Sequence, residues 1–158
     1  MYNDTVTLFC FYHSSLGDMW YPSVLHNVHL NMDKASIIAK YGPESTDNAS
    51  LHVRYSVVDG KKMIGNKIWL PPKEWDAQTN DDLSASLTFT DSPTQEGDMA
   101  DFFWFGEWPD EEPVWDEKGS WSREGFYNYM NRNHDYIFTI TSVGGPYSVI
   151  PHFEILAK

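Results

Sequence analysis

One cysteine, Cys10, stands in 158 residues. No intrachain disulfide can therefore staple the fold, and no cysteine-based zinc site can be built. No window of about 18 apolar residues occurs, which excludes a membrane-spanning helix. Cations are scarce: 11 Lys and Arg stand against 23 Asp and Glu, a formal net charge of −12 at pH 7. Tight binding to a nucleic-acid backbone needs clustered Lys and Arg, so that class is disfavoured. The opening Met1-Tyr2-Asn3-Asp4-Thr5 has neither the basic nor the apolar region of a signal peptide. The expected compartment is the cytoplasm, of a cell or of a host cell, and the sequon at Asn48 carries no weight there. Internal repeats and low-complexity segments are lacking too.

What the chain has in abundance is aromatic residues: nine Phe, nine Tyr and seven Trp. They favour strands and interfaces over helices. The densest stretch is Asp101 to Trp108, with five aromatic rings in eight positions. It is too short for a helix and ends at Gly106 and Pro109, so it reads as a central strand buried on both faces. Around it, Asp4–His13 alternates Val6, Leu8, Cys10 and Tyr12 with Thr5, Thr7, Phe9 and Phe11. Met19–Met32 returns as a second strand, with Trp20, Val24, Val28 and Leu30 on one parity and Tyr21 and Leu25 on the other. Pro22 marks an edge or bulge. Further strands are expected over Leu51–Asp59, Lys62–Leu70, Leu83–Thr90, Asp135–Val143 and Tyr147–Leu156, with Gly144-Gly145-Pro146 breaking the last two apart. Pro71-Pro72 closes one strand and Lys73–Asp76 reads as loop. Ser122–Arg132 is the best helix candidate, though Gly125 and the lack of a capping box weaken it. Ala35–Tyr41 allows one helical turn. The class is all-β: one domain over 1–158, a small β-barrel or sandwich of about seven to nine strands. It carries one or two short helices and extended loops at 33–50 and 91–121.

Chemistry-bearing constellations are thin. His26 and His29 are three apart, which on a regular strand points them to opposite faces. His13, His52, His134 and His152 have no second ligand at a characteristic spacing. No metal and no cofactor are expected. Asp110, Glu111, Glu112, Asp116 and Glu117 lack the pattern of a calcium loop and read as a solvated acidic turn. There is no Gly-x-Ser-x-Gly and no phosphate-cradling glycine loop, and Cys10 lies inside an apolar strand. Nothing selects a carboxylate pair for glycoside hydrolysis. The expectation is a protein that is not an enzyme.

Charge is distributed unevenly. Residues 32–73 hold seven cations against four carboxylates, and residues 91–118 hold ten carboxylates against one cation. Acidic and basic loops can serve solubility alone. They can also meet across subunits, which makes Lys61, Lys62, Lys67, Asp110, Glu111 and Glu112 candidate interface residues. Trp115 and Trp121 join them, because Trp anchors protein interfaces. Trp104, Trp108, Trp115 and Trp121 among carboxylates would equally suit a carbohydrate- or ligand-binding β-sandwich that stacks sugar rings.

Three pieces carry a resemblance: Pro71-Pro72-Lys73-Glu74-Trp75, the strand ending Phe105-Gly106-Glu107, and Ile137–Val143 followed by Pro151-His152-Phe153-Glu154-Ile155. With Thr5-Val6-Thr7-Leu8-Phe9 and the Trp20 to Val24 strand, their order resembles small neck proteins of tailed phages of Gram-positive bacteria. These are the minor capsid, head-closure or head–tail joining proteins. The resemblance implies a small β-barrel with long loops and no catalytic residues. It further implies a homo-oligomeric ring in the virion, assembled in the host cytoplasm, with portal or adaptor and tail proteins as neighbours. DNA would be a non-specific passenger through the ring, and no membrane would be involved. The segment 109–121 departs from that pattern in being more acidic and richer in Trp. A tail or baseplate component of similar fold is the other structural reading.

Overall fold

A computed structural model describes residues 2–32, 49–91 and 99–158. Among them lie strands β1 (Asp4–Ser14), β2 (Gly17–Met32), β3 (Ala49–Arg54), β4 (Ser56–Val58), β5 (Lys61–Ile64) and β6 (Lys67–Trp69). Helices α1 (Pro72–Asp76) and α2 (Asn80–Ser84) precede β7 (Ser86–Leu87), β8 (Phe102–Trp104) and β9 (Val114–Trp115). A 3-10 turn (Gly119–Trp121), α3 (Phe126–Asn133), β10 (Ile137–Tyr147) and β11 (His152–Ala157) complete the order. The expected all-β class is the one observed. Strands β1, β8, β10, β11, β3 and β2 pair in that order, and a β1–β2 pairing closes the ring into a six-stranded antiparallel barrel. β9 adds to β2, while β4, β5, β6 and β7 form a second, smaller sheet.

The alternation read in β1 sorts two cores. Val6, Leu8 and Cys10 point into the barrel with Leu51, Phe103 and Phe153. Phe9 and Phe11 point outward, where they join Trp20, Phe102, Phe126 and Met130 in a second cluster. β8 is hydrogen-bonded to β1 on one edge and to β10 on the other. Phe103 and Phe102, each fully buried, serve the inner and the outer core respectively. The expected strand with both faces covered is therefore present, although it is three residues long and Phe105–Trp108 leave it. Thr7, a fully buried polar member of the outward row, is satisfied there. Its hydroxyl donates to Gly106 O at 2.8 Å and accepts from Trp108 N at 2.9 Å, pinning that segment over β1.

Several expectations change, each for a local reason. In β2 the two parities cross over: Tyr21, Leu25, Val28 and Leu30 all face the barrel interior. The cause is a bulge, since Val6 pairs with Leu25 but Asp4 with Val28, and Asn27 takes φ 57°. Leu51–Asp59 is not one strand, because Tyr55 separates β3 in the barrel from β4 in the small sheet. Lys62–Leu70 is a hairpin that turns at Gly65, φ 62°. Lys73–Asp76 is helix, not loop. Pro72 takes the first turn of α1, where a missing N–H costs nothing, and Trp75 is buried. Leu83 belongs to α2, and the strand begins only at Ser86.

β10 runs through Gly144-Gly145-Pro146 instead of ending there, because a register shift absorbs them. Gly145 has φ 104°, and a Cβ there would lie 3.0 Å from His152 O, so glycine is required. The helix over 122–132 starts later, at Phe126, and the expected loop 91–121 contains β8, β9 and the 3-10 turn. The helical turn expected at 35–41 and most of the loop 33–50 lie outside the described residues. Trp75, Leu83, Leu87 and Phe89 pack into the same cluster as the barrel interior, so the small sheet and the two short helices share its core.

Candidate functional site

The segment that follows β8 folds back as a cap over the outer core. Asp116 organises it. Its Oδ1 accepts from Trp20 Nε1 at 2.9 Å and from Phe126 N at 3.0 Å, and its own N–H donates to Asp18 O. A carboxylate on the first N–H of α3 also suits the positive end of the helix. The capping residue missing from the local sequence is thus supplied from ten positions upstream. Gly125 stands at φ 84° with Asp116 Oδ2 3.3 Å from where a Cβ would sit. The expectation that Asp116 belongs to a solvated acidic turn is corrected: it is half-buried within the cap.

The candidate tryptophans divide. Trp121 packs against Phe126 and Tyr129, with ring centroids 5.0 and 5.1 Å away, and donates Nε1–H to Trp115 O at 2.6 Å. Trp115 is half-buried, and the Lys118 ammonium lies 4.6 Å from its ring centroid. Trp108 meets Phe9 and Phe126 edge-on, and Trp104 lies against His134. These rings hold the cap to the barrel, and a stacking sugar would have to displace such contacts.

The candidate charges divide as well. Lys61, Asp110, Glu111 and Glu112 are exposed and Lys62 is partly so. Among the described residues none of these five forms an ion pair. Lys67 is different: its Nζ donates to Pro22 O at 3.1 Å and to Ser23 Oγ at 2.8 Å. Burial lowers its pKa, and Cys10 and Glu111 partly offset that. It acts as a strut between β6 and β2 rather than a free surface cation.

Asp101, at the start of the run read as a buried strand, is an ionisable group held in the interior. It is buried, and its two carboxyl oxygens accept from Phe11 N at 2.9 Å and Thr90 N at 3.0 Å. It continues the ladder along β1 beyond the end of β8. Burial pushes its carboxyl up to about 8 against the pull of those two N–H donors. Burial likewise raises the Cys10 thiol well above its ordinary value, and Sγ–H donates to Thr88 O, so it is an inert core thiol.

On the opposite side of the barrel the outward residues are histidines. The β2 bulge turns His26 and His29 to the same, outer, side, which overturns the expectation of opposite faces. They still serve different neighbours. His26 meets Glu107 and Thr5, whereas His29 lies against His52 and Tyr2. His52 and His152, read as isolated, are brought together on β3 and β11. Their rings are nearly parallel at 6.2 Å, and their ligand atoms and a Glu154 oxygen all lie within 4.8 Å of one another. His152 Nδ1 bonds to Ile150 O at 2.5 Å and Nε2 lies 3.2 Å from Glu154 Oε1. The Ile150 carbonyl, then Glu154, raise the His152 pKa. Sequence reasoning missed this group because its members are 100 residues apart. The signal was present only in the i, i+2 spacing of His152 and Glu154 on one strand.

No family model, curated protein or solved structure matches this chain. No helix among the described residues is long and apolar enough to cross a membrane.

Proposed function

We propose that the chain is a non-enzymatic structural subunit of a tailed-phage neck or head–tail connector. It would form a homo-oligomeric ring between portal and tail, retaining DNA as a passenger and docking the tail. The observation that carries this reading is the pair of unlike patches, Lys61–Lys62 and Asp110–Glu112, which form no ion pair among the described residues. In a heterologous ring the basic patch of one subunit meets the acidic patch of the next, and every interface repeats the attraction. Exposed pairs contribute about 0–1 kcal/mol each, so an apolar contact must accompany them. Large apolar side chains are available on turns: Leu16, Val149 and Ile150 are 85%, 96% and 70% exposed. The barrel interior is filled with the chain's own side chains, as in other small barrels, which leaves recognition to such surfaces. A net acidic ring would also repel the DNA backbone and let it slide.

The test is sedimentation velocity over a concentration series, with and without a portal-side template. Replacing Lys61 and Lys62 by Glu should weaken assembly, and adding Glu111→Lys and Glu112→Lys in the same chain should partly restore it. Raising salt to about 1 M, where screening shortens to about 3 Å, should weaken the wild-type ring. Assembly indifferent to both salt and reversal would mean that the patches serve solubility alone.

A further inference from the structure

We propose that His52, His152 and Glu154 form a binding site for a zinc-class divalent transition-metal ion on the outer face of β3 and β11. The backbone sets the site. β3 and β11 are antiparallel with Glu154 directly opposite His52, and His152 lies two residues before Glu154 on the same strand face. Phe153 and Ile155 between and beyond them point into the core, as do Leu51 and Val53 on either side of His52. All three candidate ligands therefore leave the barrel wall on one side and converge by strand geometry rather than by loop placement.

Distances fit a small adjustment. Bonds of about 2.0–2.2 Å to a tetrahedral ion put ligand atoms about 3.3–3.6 Å apart. The present atoms all lie within 4.8 Å, and His152 Nε2 is already 3.2 Å from Glu154 Oε1. Rotation about side-chain bonds closes the remaining gap without moving a strand. Two imidazoles and one carboxylate form a three-ligand set that leaves a fourth position open to water or to an incoming group.

A second feature points the same way. A metal-bound histidine usually donates its other ring N–H to a carbonyl or carboxylate, which fixes the ring and the tautomer. His152 has that partner: Nδ1 bonds to Ile150 O at 2.5 Å, which leaves Nε2 as the ligand atom. The Tyr147 ring packs 5.0 Å from the His152 ring, and the side chain is 19% exposed, so little rotamer freedom remains to be lost on binding. His29 extends the row on the other side of His52, with ring centroids 6.1 Å apart. Arg54, opposite His152, has its guanidinium over the Tyr2 ring at 3.8 Å. The donor set of imidazole nitrogens selects zinc, nickel or copper over calcium and magnesium, which prefer oxygen. The site stands independently of the assembly reading.

The experiment uses the full chain, stripped with a chelator and titrated with zinc chloride by calorimetry and by competition with a chromophoric indicator. One ion per chain should bind. The thermal midpoint should rise by about 5–10 °C at a hundredfold excess over the dissociation constant. His52→Ala and Glu154→Ala should each weaken binding at least about tenfold, while His26→Ala should bind as the wild type does. Calcium chloride should produce neither heat nor a midpoint shift. The metal-free midpoints of the variants should match the wild type, since the three side chains lie outside the core. Lack of saturable zinc binding, or unchanged affinity in both His52→Ala and Glu154→Ala, would overturn the site. Calcium binding as strong as zinc binding would overturn it too.

Discussion

The barrel turns two different faces outward. On β1, β8 and β10 the outward residues include Phe9, Phe11, Phe102 and Ile137, and a cap built from α3 and the preceding Trp-rich segment covers them. On β2, β3 and β11 the outward residues include His29, His52, His152 and Glu154, and they carry no comparable cover among the described residues. Both faces arise from the same period of two, in which every second residue leaves the barrel wall. What differs is what the outward residues are made of. Apolar rings outside a barrel demand a second layer, and once they have it they contribute stability rather than recognition. Polar, metal-capable side chains need no layer and stay available. Trp104, Trp108 and Trp121, which suit a binding platform by sequence, are therefore spent on the covered face.

The sharpest way to break this comparison is to truncate β8 on each side. Phe103→Ala opens the barrel interior and Phe102→Ala opens the outer core, and each should cost about 3–5 kcal/mol in urea unfolding. A typical domain has about 5–15 kcal/mol in total, so both variants should be marginal. If Phe102→Ala costs less than about 1 kcal/mol, the outer cluster is a surface patch with a loose flap, and the two faces do not differ in kind.

A smaller effect tests the strut at the end of β8. Because the folded pKa of Asp101 is raised to about 8, the folded state holds a proton there that the unfolded chain releases near 4. The stability tied to that proton is complete below about pH 4 and is lost as pH rises through about 8. Asp101→Asn should flatten the fall in stability over this window. It should also cost about 1–3 kcal/mol at low pH, since one of the two buried backbone N–H groups loses its acceptor. An unchanged pH slope would show that Asp101 does not titrate as described. The smallest effect belongs to the bare face: His52→Ala without metal should shift stability by no more than about 0.5 kcal/mol. A cost near that of Phe102→Ala would mean that this face is core as well.

How far the molecule can be read from its sequence follows the same division. The alternation of Val6, Leu8 and Cys10 against Phe9 and Phe11 specifies both cores, and the run Asp101–Trp108 announces a strand with two covered faces, of which Phe102–Trp104 forms. Local exceptions were harder. The bulge at Asn27 reverses the parity of β2, and nothing in the residue types of His26 to His29 marks an extra residue. The turn at Gly65 splits Lys62–Leu70, which reads as one strand, into β5 and β6. The start of α3 depends on Asp116, which in sequence belongs to an acidic cluster and in space serves as a cap. Lys67 reads as a surface cation by sequence, and only tertiary contacts show it hydrogen-bonded to β2. The grouping of His52 with His152 and Glu154 requires the β3–β11 register, which no local pattern contains.

The most direct measurement of the assembly account mixes two variants. One carries Lys61→Glu and Lys62→Glu, so both of its patches are acidic; the other carries Glu111→Lys and Glu112→Lys, so its cations outweigh its acids at both. Each alone should assemble more weakly than the wild type on a portal-side template by native mass spectrometry, because like patches meet at every interface. Mixed in equal amounts, they should assemble, because each variant's altered patch then faces the other's complementary one. Rings that alternate the two variants are the predicted result. Assembly of either variant alone as strong as the wild type's, or failure of the mixture when the wild type assembles, would contradict the account.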